Sequence, residues 1–157
     1  MKLKYKNAVP EEYFAKFTQD YPSLKPYHQL AINISNAQTP IKEMIDLAHD
    51  LKCQGYTLHI FSNIGESIFA DLAQQYPTVF SLFDKVHVPD RHTKYIGKRH
   101  QDGFSNYLSA CNTENKTIIL IDDNKHNITR SAQAGMVSIY FKNVQQLHTD
   151  LHKLQIL

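Results

Sequence analysis

The chain has 157 residues, of which 42% are apolar and 20% charged, and its net charge is +2 with nine histidines taken as neutral. This length suits one domain with a sizeable core, and the composition excludes a disordered or membrane-spanning chain. The small net charge argues against nucleic acid as a partner. Because the amino-terminal residues lack an apolar signal segment, we expect a cytoplasmic protein without a membrane partner.

Predicted helices and strands alternate along the chain. Residues 10 to 35 carry aromatic and aliphatic side chains at mixed spacing, which predicts two helices broken at Pro22 and Pro26. Pro40 opens a helix with apolar residues on one face, and that helix ends at Gly55. The later strands are YTLHIF, FDKVHVP, TIILI and VSIYF, and the later helices lie in SNIGESIFADLAQQY, GFSNYLSAC and VQQLHTDLHKL. This alternation is typical of parallel βαβ units and predicts the α/β class.

Two adjacent aspartates, Asp122 and Asp123, follow the apolar run from Ile118 to Ile121. The run is typical of a strand buried on both faces of a parallel sheet, and Ile128 to Gly135 predicts the next helix. Ligands of open α/β sheets bind at the carboxyl ends of strands, where paired carboxylates suit Mg²⁺. Alternatively, the aspartates only begin a turn and cap the helix.

Polar residues also follow the strand YTLHIF, which ends beside Ser62 and Asn63. The carboxyl ends of parallel strands open on the same rim, so these residues are expected to converge with the two carboxylates. The polar loop between the strands carries Lys94 and Lys98. A hydroxyl donor, an ammonium group and an acid that holds magnesium predict a phosphate site. Taken singly, Ser62 is a candidate helix N-cap and either lysine a solvated surface charge.

Three segments, GYTLHIFSN, FDKVHVPDRHTKYIGKRHQDGF and IILIDDNKHNITRSAQAGM, follow one another in an order that resembles the haloacid dehalogenase (HAD) superfamily. They resemble its second, third and fourth motifs. In the second motif a serine or threonine, here Ser62, hydrogen-bonds the transferred phosphoryl group. The third supplies a lysine that neutralises the nucleophile and phosphate, and the fourth is the acidic magnesium site. The resemblance implies a Rossmann-like three-layer parallel sheet and a Mg²⁺-dependent phosphatase lineage acting on small phosphorylated metabolites.

The resemblance also implies which residues form the site. Lys98 lies six residues before Phe104, the spacing of the motif lysine in relatives. Relatives usually have Lys-Pro there and a slightly shorter loop, so Lys94 stays an alternative. Asp123 matches the principal metal-binding acid, and many relatives carry a further acid at the position of Asn127. The implied set is Ser62, Asn63 and Lys98 for catalysis, and Asp122, Asp123 and Asn127 for magnesium.

The resemblance covers residues 10 to 142 and implies a single HAD-like domain over residues 1 to 157. Residues 10 to 38 correspond to a partial helical cap at the amino terminus. Residues 40 to 157 correspond to a Rossmann-like core that lacks the usual first strand. The segment QQYPTVFSLFDKV fits the subgroup with a small helical cap.

One family motif is absent from the 157 residues: the Asp-x-Asp after the first strand. In relatives it supplies the nucleophile and the general acid/base. The aspartates before Ser62 are Asp20, Asp46 and Asp50, and each lies in a helical or turn context. The chain starts where relatives are already in the cap, so we expect a descendant or a piece of a phosphatase that is inactive in isolation.

Two other classes compete with this interpretation. The segment IILIDDN also resembles the start of a response-regulator receiver, but only 34 residues follow Asp123, too few for the downstream phospho-acceptor. A non-catalytic binding or interaction module with the HAD fold stays open. Upstream sequence encoding an Asp-x-Asp after apolar residues would favour a truncated enzyme over this module.

The missing first strand would leave a gap at the centre of the sheet, with unpaired backbone groups on both sides. We expect first that Leu58 to Phe61 pairs directly with Ile118 to Ile121 in a four-stranded sheet. The second route is that Lys2 to Lys6 substitutes for the strand. The third is donation of a strand by a second copy or another partner chain.

Overall fold

The structure, a computed structural model, describes residues 18–27, 30, 33, 37–90, 92–94, 96–111 and 116–157. They fall into two compact units. The first unit takes its described residues from Met1–Ile41 and Thr57–Gly97. The second takes them from Lys42–Tyr56 and Lys98–Leu157.

Short strands alternate with helices along the described residues. A 3₁₀ helix, Pro22–Leu24, comes first. The helices are α1 (Lys42–Cys53), α2 (Glu66–Gln75), α3 (Pro77–Phe80), α4 (Gly103–Ala110), α5 (Lys125–Gln133) and α6 (Val144–Lys153). The strands are β1 (His59–Phe61), β2 (Lys85–His87), β3 (Ile119–Asp122) and β4 (Val137–Tyr140). The predicted α/β class and every predicted strand are confirmed, although each strand is shorter than its apolar run.

The first unit is built around β1 and β2, which pair in parallel with Phe61 opposite His87. The main chain continues this pairing past β1, because the Ser62 N–H donates to the His87 carbonyl at 3.0 Å. On the helical side, the rings of Phe69 in α2 and Phe80 in α3 meet edge to face with centroids 5.1 Å apart. This aromatic contact joins the two consecutive helices of the unit.

Among the residues that the structure describes, the second unit contains most of the buried core. Strands β3 and β4 pair in parallel, with Ile119 opposite Val137 and Asp122 opposite Tyr140, and α5 packs on both. Helix α6 is capped at Asn143, whose side chain accepts from the Gln146 N–H at 2.8 Å. The buried apolar residues of this unit are Leu47, Ala48, Leu51, Phe104, Tyr107, Leu120, Met136, Ile139, Leu147 and Leu151.

Two glycines end helices as the sequence predicts. Gly55 follows α1 with φ of 86° and Gly135 follows α5 with φ of 91°. After α5 the Gly135 N–H donates to the Ala132 carbonyl, and the Met136 N–H donates to the Ser131 carbonyl. These bonds satisfy the last carbonyls of the helix, and the positive φ explains why glycine occupies the position.

Two helix predictions need correction. Helix α5 begins at Lys125 rather than Ile128, because the Asn124 side chain accepts from the His126 N–H at 2.9 Å and starts the helix early. For α1 the spacing predicts an apolar face of Ile41, Met44, Ile45, Ala48 and Leu51. Ala48 and Leu51 are buried, but Ile41 is exposed and Leu47 is buried instead. The prediction of burial on both faces of β3 is also only partly right, because its isoleucines are half-buried.

The expected direct pairing of β1 with β3 is wrong for the described residues. There, β1 pairs with β2 and β3 pairs with β4, in two separate two-stranded sheets. The observed partners are consecutive strands in each pair, β1 with β2 and β3 with β4, which is the usual outcome of a βαβ connection. The substitute strand Lys2 to Lys6 lies outside the described residues. Strand donation by another chain stays a prediction.

Most of the predicted cap, residues 10 to 38, also lies outside the described residues, so the division into cap and core stays a prediction. In the described part, residues 18–20 and 25–27 are helical. Pro22 opens the 3₁₀ helix, but Pro26 lies inside a helical stretch rather than breaking it. None of the helices in the described ranges has the length and apolarity needed to cross a membrane.

We predict that Leu147→Ala lowers the free energy of unfolding by about 2 to 5 kcal/mol, because it leaves a cavity in the core. The Leu147 side chain is 0% exposed, whereas Leu154, at the end of the same helix, is 43% exposed. Leu154→Ala is the matched control and should cost about 0.5 kcal/mol or less. Urea unfolding followed by circular dichroism measures both. Equal losses in the two variants would contradict the core assignment.

Candidate functional site

Asp122, the last residue of β3, is a buried carboxylate with 7% exposure. Its Oδ1 accepts hydrogen bonds from the Asn124 N–H at 2.8 Å and from Asn127 Nδ2 at 2.9 Å. Its Oδ2 accepts from the Lys98 ammonium group, with which it forms an ion pair. We call Lys98, Asp122 and Asn127 the Asp122 cluster. Three donors compensate the loss of solvent around this carboxylate.

The hydrogen bonds also determine the charge state of Asp122. Burial raises the pKa of this carboxyl, because it disfavours the charged form. The bonds from Lys98, Asn127 and the Asn124 N–H outweigh burial and hold the pKa below its ordinary value of 3.8. Asp122 is therefore a carboxylate at neutral pH, paired with a lysine.

The local sequence explains how these groups meet. Asp122 ends the strand, and its bond from the Asn124 N–H forms the turn that leaves the sheet. Asn124 then caps α5, which places Asn127 in the first turn of that helix. The alternative in which the aspartates begin a turn thus holds for Asp122, in addition to its ion pair. The helix cap, however, is Asn124 and not an aspartate.

Asp123 differs from its neighbour, because it is exposed. Carboxylate and amide oxygens are ligands that Mg²⁺ accepts, so the predicted set fits the metal in kind. The fit in number is only partial, since both Asp122 oxygens already accept hydrogen bonds and Asn127 donates one of them. Of the two predicted carboxylates, that of Asp123 is exposed and accessible to a metal ion.

The two candidate lysines have different surroundings. The Lys98 side chain is 12% exposed and its ammonium group is bonded to Asp122. Lys94 is exposed, belongs to the first unit and has a positive φ of 51°. The contacts within the second unit therefore bring Lys98 together with two of the predicted metal residues.

Ser62 and Asn63 lie at the end of β1 in the first unit. The Ser62 Oγ accepts from the Ile64 N–H at 3.2 Å, in a short turn. Ser62 is not the N-cap of α2, because that position is Gly65. As an acceptor in this turn, the hydroxyl oxygen keeps its own proton as a donor.

Gly97 lies close to Asn63 and Pro89, a contact that the sequence does not predict. A Cβ at this position would lie 2.6 Å from Asn63 Oδ1 and 2.8 Å from Pro89 Cγ, which is closer than real side chains approach. Glycine therefore allows the loop to approach Asn63. A glycine directly before the candidate lysine was the available signal.

A reciprocal turn fixes the start of the same loop. The Asp90 N–H donates to Thr93 Oγ1 at 2.9 Å, and the Thr93 N–H donates to Asp90 Oδ1 at 2.6 Å. Burial raises the pKa of the Asp90 carboxyl. The hydrogen bonds from Thr93 and the nearby His92 lower that pKa by more than burial raises it, so the net shift is downward. The Asp-x-x-Thr spacing, similar to a capping box, was the signal for this turn.

We predict that Asp122→Asn lowers the free energy of unfolding at pH 7 by about 3 kcal/mol, because it leaves the Lys98 ammonium group without its counter-ion. The folded pKa of Asp122 lies below its unfolded value, so the ion pair stabilises the protein above pH 3.8. That stabilisation is lost as the pH falls through the folded pKa.

Urea unfolding of both proteins at pH 7, 5 and 3 tests this, and the difference between the two stabilities should be smallest at the lowest pH. The exposed neighbour provides the control, Asp123→Asn, which should change stability by about 0.5 kcal/mol or less. A constant difference between wild type and Asp122→Asn at all three pH values would contradict the ion-pair account.

Comparison with known proteins gives two positive findings. The family model described as haloacid dehalogenase-like hydrolase matches residues 2–141. A predicted HAD-like family hydrolase from Porphyromonas gingivalis has a similar structure, with a TM-score of 0.70 and 20% identity, covering 98% of this chain and 76% of that one. At this identity the likeness shows the HAD-like α/β fold. No curated protein matches the chain. Because the family model spans most of the 157 residues, the chain belongs to the haloacid dehalogenase-like hydrolase family.

Proposed function

We propose that this chain retains the phosphate-binding part of a Mg²⁺-dependent phosphohydrolase that acts on small phosphorylated metabolites, and does not hydrolyse phosphate esters by itself. The observation that carries the proposal is the Lys98 ammonium group, held by Asp122 at the carboxyl end of β3 in a member of this hydrolase family. Strand ends of α/β sheets are where such ligands bind.

The Asp122 cluster suits an anion site for an electrostatic reason. A lysine ammonium group is a compact positive charge that binds phosphate, but its long side chain is normally mobile. The ion pair with Asp122 fixes that charge before any ligand binds. The family resemblance implies that Ser62 hydrogen-bonds a phosphoryl group, and the adjacent Asn63 is a further candidate.

The proposed lack of turnover follows from the chemistry of the reaction. A covalent phosphohydrolase needs a carboxylate that attacks phosphorus, and the 157 residues contain no Asp-x-Asp. Lys98 neutralises charge and Ser62 donates a hydrogen bond, but neither role replaces the nucleophile. When bound, Mg²⁺ would supply further charge neutralisation, with Asp123 as its acidic ligand.

A non-catalytic module with the HAD fold is the alternative function. In that case the Asp122 cluster would be a structural ion pair, and the protein would act by binding another macromolecule. A partner chain that completes the sheet is compatible with both functions. The two differ in whether Lys98 binds phosphate.

Titration of the isotope-labelled protein with inorganic phosphate, followed by NMR, tests the proposal. We expect shifts at Lys98 and at the turn after β3, with an affinity in the millimolar range. Lys98→Gln should abolish them, Lys98→Arg should retain part of the binding, and the loop variant Lys94→Gln should behave like wild type. Unchanged binding by a folded Lys98→Gln protein, or no binding by wild type, would favour the non-catalytic module.

A second prediction concerns activity. With Mg²⁺, the chain should hydrolyse para-nitrophenyl phosphate no faster than its Lys98→Ala variant, because the nucleophile is missing. Release of nitrophenolate, followed by absorbance, measures the rate. Turnover that Asp123→Asn abolishes would contradict the prediction and would identify an aspartate of this chain as the nucleophile.

A third prediction concerns the metal. Mg²⁺ should bind only weakly, because Asp122 is already paired with Lys98 and Asp123 supplies the remaining carboxylate of the pair. Titration calorimetry should give millimolar affinity, and Asp123→Asn should remove the remaining signal. Micromolar affinity in wild type would show that Asp122 exchanges Lys98 for the metal.

A further inference from the structure

The main chain beside Lys98 is held by Arg130. The Nη1 atom of this arginine, in the last turn of α5, donates to the Arg99 carbonyl at 2.7 Å and to the Lys98 carbonyl at 3.3 Å. The residues between Gly97 and α4 form turns rather than a helix or strand. The two carbonyls therefore do not take part in the hydrogen bonds of regular secondary structure. One guanidinium group therefore bridges two consecutive peptide units of an irregular segment.

The ammonium group of Lys98 and the main chain beside it are both held by residues of one strand-turn-helix segment. Asp122, at the end of β3, binds the ammonium group, and Arg130, eight residues later on α5, binds the main chain. The turn bonds from Asn124 and Asn127 to Asp122 fix the connection between the two. The strand, turn and helix thus all contribute hydrogen bonds that hold a lysine from an irregular segment.

We propose that Arg130 is a positioning residue for Lys98: its guanidinium group clamps the Lys98-Arg99 main chain so that the ammonium group stays at Asp122. The importance of this position for ligand binding rests on the proposed function, but the clamp does not. A planar guanidinium group reaches both carbonyls at once, whereas a lysine at this position would offer a single flexible charge.

A cation in the last turn of a helix also interacts favourably with the helix dipole, which is an alternative reason for an arginine here. The two explanations predict different behaviour of Arg130→Lys. That variant keeps the charge and the favourable dipole interaction but loses the bridge between the carbonyls. A clamp therefore fails in Arg130→Lys, whereas a dipole effect is retained.

The test measures the reactivity of the Lys98 amine by trace acetylation of the intact protein, quantified by mass spectrometry, with Lys94 as the internal reference. Release of the clamp should raise the Lys98 rate relative to Lys94 about tenfold in Arg130→Ala, the effect of losing roughly one charge-assisted hydrogen bond. Arg130→Lys should give a rise of the same order. Arg99→Ala is the matched control, since it removes a neighbouring guanidinium group but keeps both carbonyls, and should leave the rate unchanged.

Hydrogen exchange in the same variants separates local from global effects. Amides of residues 98–102 should exchange faster in Arg130→Ala and Arg130→Lys, while those of β3 and α6 keep their wild-type rates. A wild-type acetylation rate of the Lys98 amine in Arg130→Ala, or in Arg130→Lys, would overturn the clamp. Faster exchange throughout β3 and α6 would overturn it as well, by assigning Arg130 to general stability. None of these measurements uses phosphate, so failure of phosphate binding contradicts the proposed function alone.

Discussion

The ion pair between Lys98 and Asp122 is the interaction on which the candidate site depends. A carboxylate this buried is unfavourable unless donors surround it, and here a turn amide, an asparagine and a lysine do so. Order in the turn after β3 is therefore coupled to order in the segment that carries Lys98. Burial of a charged pair is seldom the most stable way to fill a protein interior. An apolar pair could fill the same space, and under the proposed function the ion pair serves to place the Lys98 charge.

The sequence predicts those parts of the fold that local spacing determines. Leu147 and Leu151 lie four residues apart on one helix face, and both are buried in α6 as that period requires. Gly135 ends α5 because its backbone conformation suits glycine. The start of α5 was missed, because Asn124, Lys125 and His126 are polar residues whose type alone does not separate a turn from a first helical turn. The predicted pairing of β1 with β3 was also wrong, because it was chosen to close the gap left by the missing family strand, whereas the observed partners are consecutive strands.

The candidate site shows the same division between local and distant information. Position in the motifs indicates a lysine and a pair of acids, but it does not say which aspartate is buried. Strand periodicity does carry that information: Leu120 and Asp122 lie on the same face of β3, so a buried leucine implies a buried Asp122 and an exposed Asp123. Arg130 could not be identified in this way, because its partners are carbonyl groups, which every residue possesses. The family assignment adds the fold to this picture, and the contacts of the lysine supply its chemistry.

The tight contact at Gly97 has a consequence for sequence variation among related proteins. A side chain at position 97 would overlap the amide oxygen of Asn63 and the ring of Pro89. Any relative that carries alanine or a larger residue there must therefore have a differently oriented or smaller side chain at position 63, together with a displaced ring or turn at position 89. Positions 63 and 97 are far apart in sequence but share one small volume, so the sizes of their side chains should covary. A relative with glycine at position 97 can accommodate an asparagine at position 63, after the strand that corresponds to β1.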